Sequence, residues 1–332
     1  MRVKIAVVLI VTLLCLGWVV SGIDPEQLQV SLAGARWLWM LPMVGIYICA
    51  HALRSLRLGL LLGAEVPFVG LFSITSIGFL AINVVPLRLG EFVRPYLLLE
   101  AHQIPFGQSL AAILVERLLD MTMLLGMLLL VGWVVDLPTE GVVVAGIDVV
   151  SAGQRFAGTL SAVGFAGVLA LLVAGPWVLG VMDRIPGVRA VRPLAEAFHG
   201  GLRRLAASPS RGVAAVALSL VIWSITIVSV LCVLHVFDGL PHTLSAALTT
   251  WSITLSGMTV APTPGFFGAY EAFCLSALLL FEVDATIGAT FAIVLHLGQF
   301  AFTVVMGGIF IVWQGLSLRS LVADSRRAAT GA

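Results

Sequence analysis

The 332-residue chain is 60% hydrophobic and only 11% charged, with a mean hydropathy of +1.11, which excludes an ordinary soluble domain and points to a chain that crosses a membrane several times. A net charge of +1 says little about partners, so charge has to be read by position. The four cysteines, Cys15, Cys49, Cys232 and Cys274, lie in apolar runs without a Cys-x-x-Cys pair and read as core residues rather than as disulfides or metal ligands.

Six stretches have the apolar length needed for a hydrocarbon core of about 30 Å: Ile5–Val20, Trp37–Leu62, Ser109–Val135, Ala157–Val181, Gly212–Val236 and Ala285–Trp313. The first starts with Arg2 and Lys4, like a signal peptide. Its apolar run is long for one, and Val19-Val20-Ser21 is a poor cleavage site, so it is expected to stay as a first helix. At the end of the second stretch, His51, Arg54 and Arg57 follow helical spacing and suggest contacts with anionic head groups at the surface.

Arginines set the expected orientation. They collect at 54 and 57, at six positions from Arg184 to Arg211, and at Arg319, Arg326 and Arg327, whereas 22–36 and 136–156 carry one arginine each against Asp24, Glu26, Asp136, Glu140 and Asp148. The positive-inside rule then places the basic loops and both termini in the cytoplasm. The loop 183–211 should also touch anionic lipid; it has no aromatic interleaving or motif that would recruit a nucleic acid. Trp18, Trp37, Trp39, Trp133, Trp177 and Trp313 near the helix ends are expected interface anchors.

Two segments resist a simple count of crossings. Residues 65–108 begin and end inside and are broken by "VVPLRLGEF", whereas 244–282 begin and end outside and are broken by "APTPG". Each reads as a re-entrant hairpin, allowed at membrane depth only where freed backbone groups are buried in protein or line a wet cavity. The expected fold is therefore all-α and polytopic, with about six spanning helices plus two re-entrant broken hairpins. Residues 1–136 and 156–315 form two inverted repeats, 137–155 an external loop and 316–332 a cytoplasmic tail.

A broken helix leaves unsatisfied N–H groups that favour an anion, and Arg88 and Arg94 add full charges beside Gly90. The plain alternative is that Glu91 neutralises Arg94 three residues later. Glu116, Arg117 and Asp120 fall within about 100° of one helix face and can share an interior cavity. Intramembrane charges are costly and mark pathways, although Glu116 also lies within reach of the cytoplasmic end, where a charged group can snorkel. Without a nucleotide-binding G-x-x-x-x-G-K-[ST] run, the driving force would come from an ion gradient or from the lipid's own imbalance, with Glu116 and Asp120 as candidate coupling acids. His296 and Gln299 share a face of the last apolar stretch and need do no more than hydrogen-bond a neighbour.

"RLGEFVRPYLL" (Arg88–Leu98), "LVERLLDMTMLL" (Leu114–Leu125) and "PTPGFFGAYEA" (Pro262–Ala272) together resemble the flippase-like membrane family named for the transmembrane region of lysylphosphatidylglycerol synthetase. The resemblance covers roughly residues 5–315. It implies a bacterial or archaeal inner-membrane protein that moves or handles lipids with polar head groups. The matching positions are Gly90, Glu91 and Arg94; Glu116, Arg117 and Asp120; and Pro262, Pro264, Gly265, Gly268 and Glu271. Phe266 stands where the family often has a second glycine, which puts the flexibility of that turn in question. The soluble aminoacyl-transfer domain of the name-giving synthetase has no counterpart in these residues. The expectation is a flippase-like transporter with a membrane-lipid substrate and no cofactor, metal or catalytic residue; an intramembrane enzyme or a scaffold acting on lipid-linked substrates is the alternative.

Overall fold

The computed structural model describes residues 2–84, 90–135, 143–144, 147–182, 184, 192–260 and 263–330. Within these residues the chain is helical apart from its turns and one small antiparallel hairpin, Val143–Val144 against Ile147–Asp148. The helices are α1 (Arg2–Ser21), α2 (Pro25–Ala33), α3 (Met40–Leu62), α4 (Phe68–Val84), α5 (Val93–His102), α6 (Phe106–Val134) and α7 (Val149–Met182). They continue with α8 (Arg192–Ala206), α9 (Pro209–Leu234), α10 (Leu244–Val260), α11 (Ala269–Leu279), α12 (Ala285–Trp313) and α13 (Leu318–Thr330).

Four helical stretches among the described residues are long and apolar enough to cross a membrane: Trp37–Leu62, Ala162–Met182, Pro209–Leu234 and Ala285–Trp313. These are four of the six expected spans. The helix α6 is 29 residues long but carries Glu116, Arg117 and Asp120, and the side chains of α1 are described only from Thr12 onward. Many leucines, valines and isoleucines on these helices are exposed, as are all six proposed tryptophan anchors. A soluble chain would bury such a surface; one in lipid has no reason to.

The segments 65–108 and 244–282 each hold two helices, α4 with α5 and α10 with α11, and residues 85–89 and 261–262 of the expected breaks lie outside the described residues. With 1.5 Å per residue, α4 and α10 (17 residues each) reach about 26 Å and α5 and α11 about 15–17 Å, so none of the four matches a full hydrocarbon core. Local chemistry fixes several ends. Asp24 accepts from the amides of Glu26 and Gln27 at the start of α2, Asp284 accepts from those of Thr286 and Ile287 at the start of α12, and the Thr243 hydroxyl accepts from Ala246 at the start of α10. Gln103 ends α5 in the left-handed region, at φ 55°.

Two compact units make up the chain. One holds Met1–Ala50, Thr122–Gly158 and Trp223–Phe302; the other holds His51–Met121, Thr159–Ile222 and Thr303–Ala332. Neither matches a half of the sequence, because the chain passes between them inside α3, α6, α7, α9 and α12. The first unit contains α10 and α11 and has a core built on Val230, Val233, Phe237, Trp251, Tyr270, Cys274 and Phe291. The second contains α4 and α5, with a core that includes Leu58, Ile74, Ile77, Val93, Leu98 and Ile113. It also holds the two strongly amphipathic helices, α8 and α13, which carry arginines in their last turns. All four cysteines are free. Cys232 and Cys274 are buried as expected, but Cys49 is exposed, because it lies on an outward face of α3.

The break in the second unit is closed by a backbone contact. Gly90 opens a short turn that leads into α5, and a Cβ there would lie 2.2 Å from the carbonyl carbon of Ala81 on α4. Only a residue without a side chain lets the turn approach α4 so closely. Gly90→Ala is expected to cost about 1–3 kcal/mol, seen as a lower unfolding midpoint in detergent; an unchanged midpoint would mean that the turn is not packed in this way.

Candidate functional site

The residues singled out in the sequence fall into two groups, one in each unit. Arg94, Glu116, Arg117 and Asp120 come together in the second unit, with Glu91 and Gly90 beside them on the turn. Pro264, Gly265, Gly268 and Glu271 lie in the first. Arg88 and Pro262 lie outside the described residues.

In the second unit, α6 carries Glu116 and Asp120 one turn apart on a buried face. Around them are three arginines. Arg94 on α5 donates from Nη1 to Glu116 Oε1 at 3.0 Å, and Arg117 also pairs with Glu116. Arg57 on α3 donates from Nη1 to Asp120 Oδ1 at 2.8 Å and has its Nη2 4.0 Å from Glu116. A second atom in reach of Arg57 Nη1 is the Ser219 hydroxyl oxygen of α9, at 2.8 Å, whose own proton goes to the Ala215 carbonyl. Arg117 also lies 3.5 Å from Asp120 Oδ2, and Glu91 is close enough for its charge to act on Arg117.

Arg57, Arg94 and Glu116 are each 1% exposed, so this cluster sits in the interior. Breaking a buried ion pair costs about 3–5 kcal/mol, because the remaining charge keeps its desolvation penalty without a partner. Two buried guanidinium groups, Arg57 and Arg94, face two buried carboxylates, Glu116 and Asp120, and the half-buried Arg117 and Glu91 lie beside them. Arg94 Nε and Nη2, Arg57 Nε and Arg117 Nε are buried without a hydrogen-bond partner among the described residues. Arg94 is held apart from its own helix neighbours. Its guanidinium lies 5.7 Å from the centre of the Phe79 ring, and its stem fills the space left by Gly78, where a Cβ would come within 2.2 Å of Arg94 Cγ.

Two local readings give way to this geometry. Arg94 finds its carboxylate in Glu116, 22 positions along the chain, rather than in Glu91 three positions back. Arg57 is not a surface residue for head groups; it is among the most deeply buried side chains, because Asp120 and Ser219 provide partners that neighbouring sequence does not reveal. His51 is likewise buried, with its Nε2 2.8 Å from the Ser76 hydroxyl. Gly78, Arg57 and Ser219 are the residues that sequence reasoning missed. Helical spacing brought Arg57 to notice, but nothing in the sequence signalled Ser219 or Gly78.

The first unit carries the other group. The segment Thr263–Gly268 turns sharply, with positive φ at Gly265 (59°), Phe266 (63°) and Gly268 (83°). Phe266 thus adopts a backbone conformation that costs a residue with a side chain and would be free for the glycine often found there. Gly268 is fixed by proximity as well: a Cβ would lie 2.7 Å from the Thr12 carbonyl oxygen of α1. Glu271 closes the N-terminus of α11 by accepting from the Gly268 amide at 2.7 Å. Its other carboxylate oxygen lies 2.6 Å from Nδ1 of His296 on α12.

A family model, the lysylphosphatidylglycerol synthase TM region, matches residues 3–307, as the resemblance of the three motifs led one to expect of the family. The chain belongs to that family. It is a multi-pass membrane protein, as the family and its apolar helices together establish. A curated relative, Glycosyltransferase AglD of Haloferax volcanii, is 25% identical over 356 aligned residues, which take in 98% of this chain and 56% of the relative. The chain therefore spans little more than half the length of that protein. No solved structure matches the chain.

Removal of one carboxylate tests the cluster. Glu116→Gln leaves Arg94 and Arg117 without their shared counter-charge and is expected to lower stability by about 3–5 kcal/mol, measured by unfolding in detergent against Glu91→Gln, which changes a half-buried residue and should cost much less. Equal losses for the two variants would show that the cluster does not depend on Glu116.

Proposed function

We propose that the chain translocates a lipid with an anionic or phosphate-containing head group across the inner membrane, and that the arginine cluster receives the head group. One observation supports this reading: Arg94 is buried, pairs with Glu116 through Nη1, and has its Nε and Nη2 without a hydrogen-bond partner among the described residues, with Arg57 and Arg117 around the same carboxylate. Such a fork, already oriented by Glu116, fits phosphate oxygens. Glu116 and Asp120 hold the arginines in place, Gly90 brings the turn against α4, and Glu91 lies beside Arg117; Arg88 is proposed from its charge in the sequence alone. Pro264, Gly265, Gly268 and Glu271 belong to the corresponding segment, to which Pro262 is assigned from the sequence alone.

The architecture proposed around this site has six spanning helices and two re-entrant hairpins. Residues 1–136 and 156–315 are inverted repeats, both termini lie in the cytoplasm, and the arginine-rich loop 183–211 and the tail 316–332 rest on anionic lipid. The positive-inside distribution of arginines supports the orientation. Two helix-break-helix segments at corresponding places, each with helices too short to cross, support the repeats.

A second reading has its own support in the name of the relative from Haloferax volcanii, a glycosyltransferase. On that reading the chain is an intramembrane enzyme, or a scaffold that presents a lipid-linked substrate to one. Reconstitution with labelled phospholipid separates the readings: movement between leaflets without chemical change supports translocation, and an altered product supports the enzyme.

Variants at Arg94 give the sharper test in the same assay. Arg94→Ala should abolish translocation, Arg94→Lys should restore only part of it because an ammonium cannot form the bidentate contact, and Glu91→Gln should weaken it less than Arg94→Ala. Wild-type rates for Arg94→Ala at matched protein levels would remove Arg94 from the site.

A further inference from the structure

The Glu271–His296 pair in the first unit has a property that the arginine cluster lacks. Both side chains are 4% exposed, and both ring nitrogens of His296 face oxygen atoms: Nδ1 faces Glu271 Oε1 at 2.6 Å, and Nε2 faces the Gly265 carbonyl oxygen at 3.0 Å. A carbonyl oxygen can only accept, so Nε2 carries a proton. Nδ1 then either carries a second proton and donates to a carboxylate, or accepts the proton of a carboxylic acid. Either way the pair holds one proton more than a neutral histidine and an ionised glutamate would. Glu271 Oε2 accepts from the Gly268 amide in both cases, so that bond does not alter the count.

If the proton leaves, the geometry cannot persist. A neutral histidine with its proton on Nε2 would point a bare Nδ1 at a carboxylate 2.6 Å away; with its proton on Nδ1 it would point a bare Nε2 at the Gly265 carbonyl. One of the two contacts must open. The contact to Gly265 holds a turn with positive φ at three of its residues, Gly265, Phe266 and Gly268. Occupancy of the proton site and the position of the turn are therefore linked.

The surroundings leave this proton to the pair. The imidazole is stacked on the Tyr270 ring at 4.2 Å and flanked by Phe267, and the Tyr270 hydroxyl donates to Gln299 Oε1 at 3.0 Å instead of to Glu271. The other titratable neighbours are Cys15 on α1 and Cys274 on α11, whose thiols both sense Glu271, and Tyr47 on α3, which senses Tyr270. Among the described residues, no arginine or lysine forms an ion pair with Glu271. The arginine cluster differs: its carboxylates accept from guanidinium groups, and that arrangement requires no additional proton.

We infer that the Glu271–His296 pair is an exchangeable proton-binding site that holds the Thr263–Gly268 turn when occupied and frees it when empty. Its use as the energy input of transport rests on the translocation reading; the site itself does not. With one proton per lipid, a gradient of one pH unit shifts the distribution between leaflets by up to about tenfold.

Infrared difference spectra of the full-length protein in detergent test the site directly, with pH stepped across the range in which histidine titrates. The expected result is a pH-dependent carboxyl or carboxylate signal that Glu271→Gln removes and His296→Gln, which keeps a donor for Gly265, alters. A spectrum without a signal sensitive to Glu271→Gln overturns the inference, even if labelled phosphatidylglycerol is translocated in proteoliposomes. A signal that behaves as expected, with no translocation of that probe, upholds the proton site and overturns the transport reading. Translocation that ignores an imposed pH gradient, with the infrared signal present, overturns the energetic role.

Discussion

The translocation reading depends on how three guanidinium groups are gathered around two carboxylates of one helix. Arg57, Arg94 and Arg117 reach the two carboxylates of α6 from three different elements, and Glu116 alone is approached by all three. Each charge taken singly costs about 2.5–3.5 kcal/mol to insert into a membrane. Pairing recovers part of that cost and fixes the side chains in space. Among the described residues the pairing is incomplete, and Arg94 Nε and Nη2 have no hydrogen-bond partner.

The supporting shell follows from this constraint. Gly78 is a glycine because the stem of Arg94 occupies the place of a side chain, and Gly90 is one because the turn before α5 lies against the backbone of α4. Ser219 gives Arg57 a second acceptor while passing its own proton to Ala215. Phe79 covers the guanidinium of Arg94 on one side. These four positions determine where the charged groups stand.

Much of this was legible in the sequence, for identifiable reasons. Charges inside an apolar run stand out by cost alone, so Glu116, Arg117, Asp120 and Arg94 were found directly, and proline with glycine in an apolar run marked both broken hairpins. What was not legible depended on long-range pairing. Arg57 looked like a surface residue because its partner is 63 positions away, and the local rule that pairs Glu91 with Arg94 lost to Glu116 across helices. His296 was seen only as a hydrogen-bonding group on the last long helix. Its second contact, to a carbonyl in the turn 31 positions earlier, is what gives it a proton to account for, and no spacing rule predicts that contact.

The central claim is that the buried cations receive a phosphate-bearing head group. Mass spectrometry of the lipids that remain on the purified protein measures this most directly. The account predicts that phosphate-containing lipids are retained above their share of the source membrane and that Arg94→Ala loses this enrichment. Retained lipid with the bulk composition of the membrane, or enrichment of lipids without phosphate that survives Arg94→Ala, would contradict it.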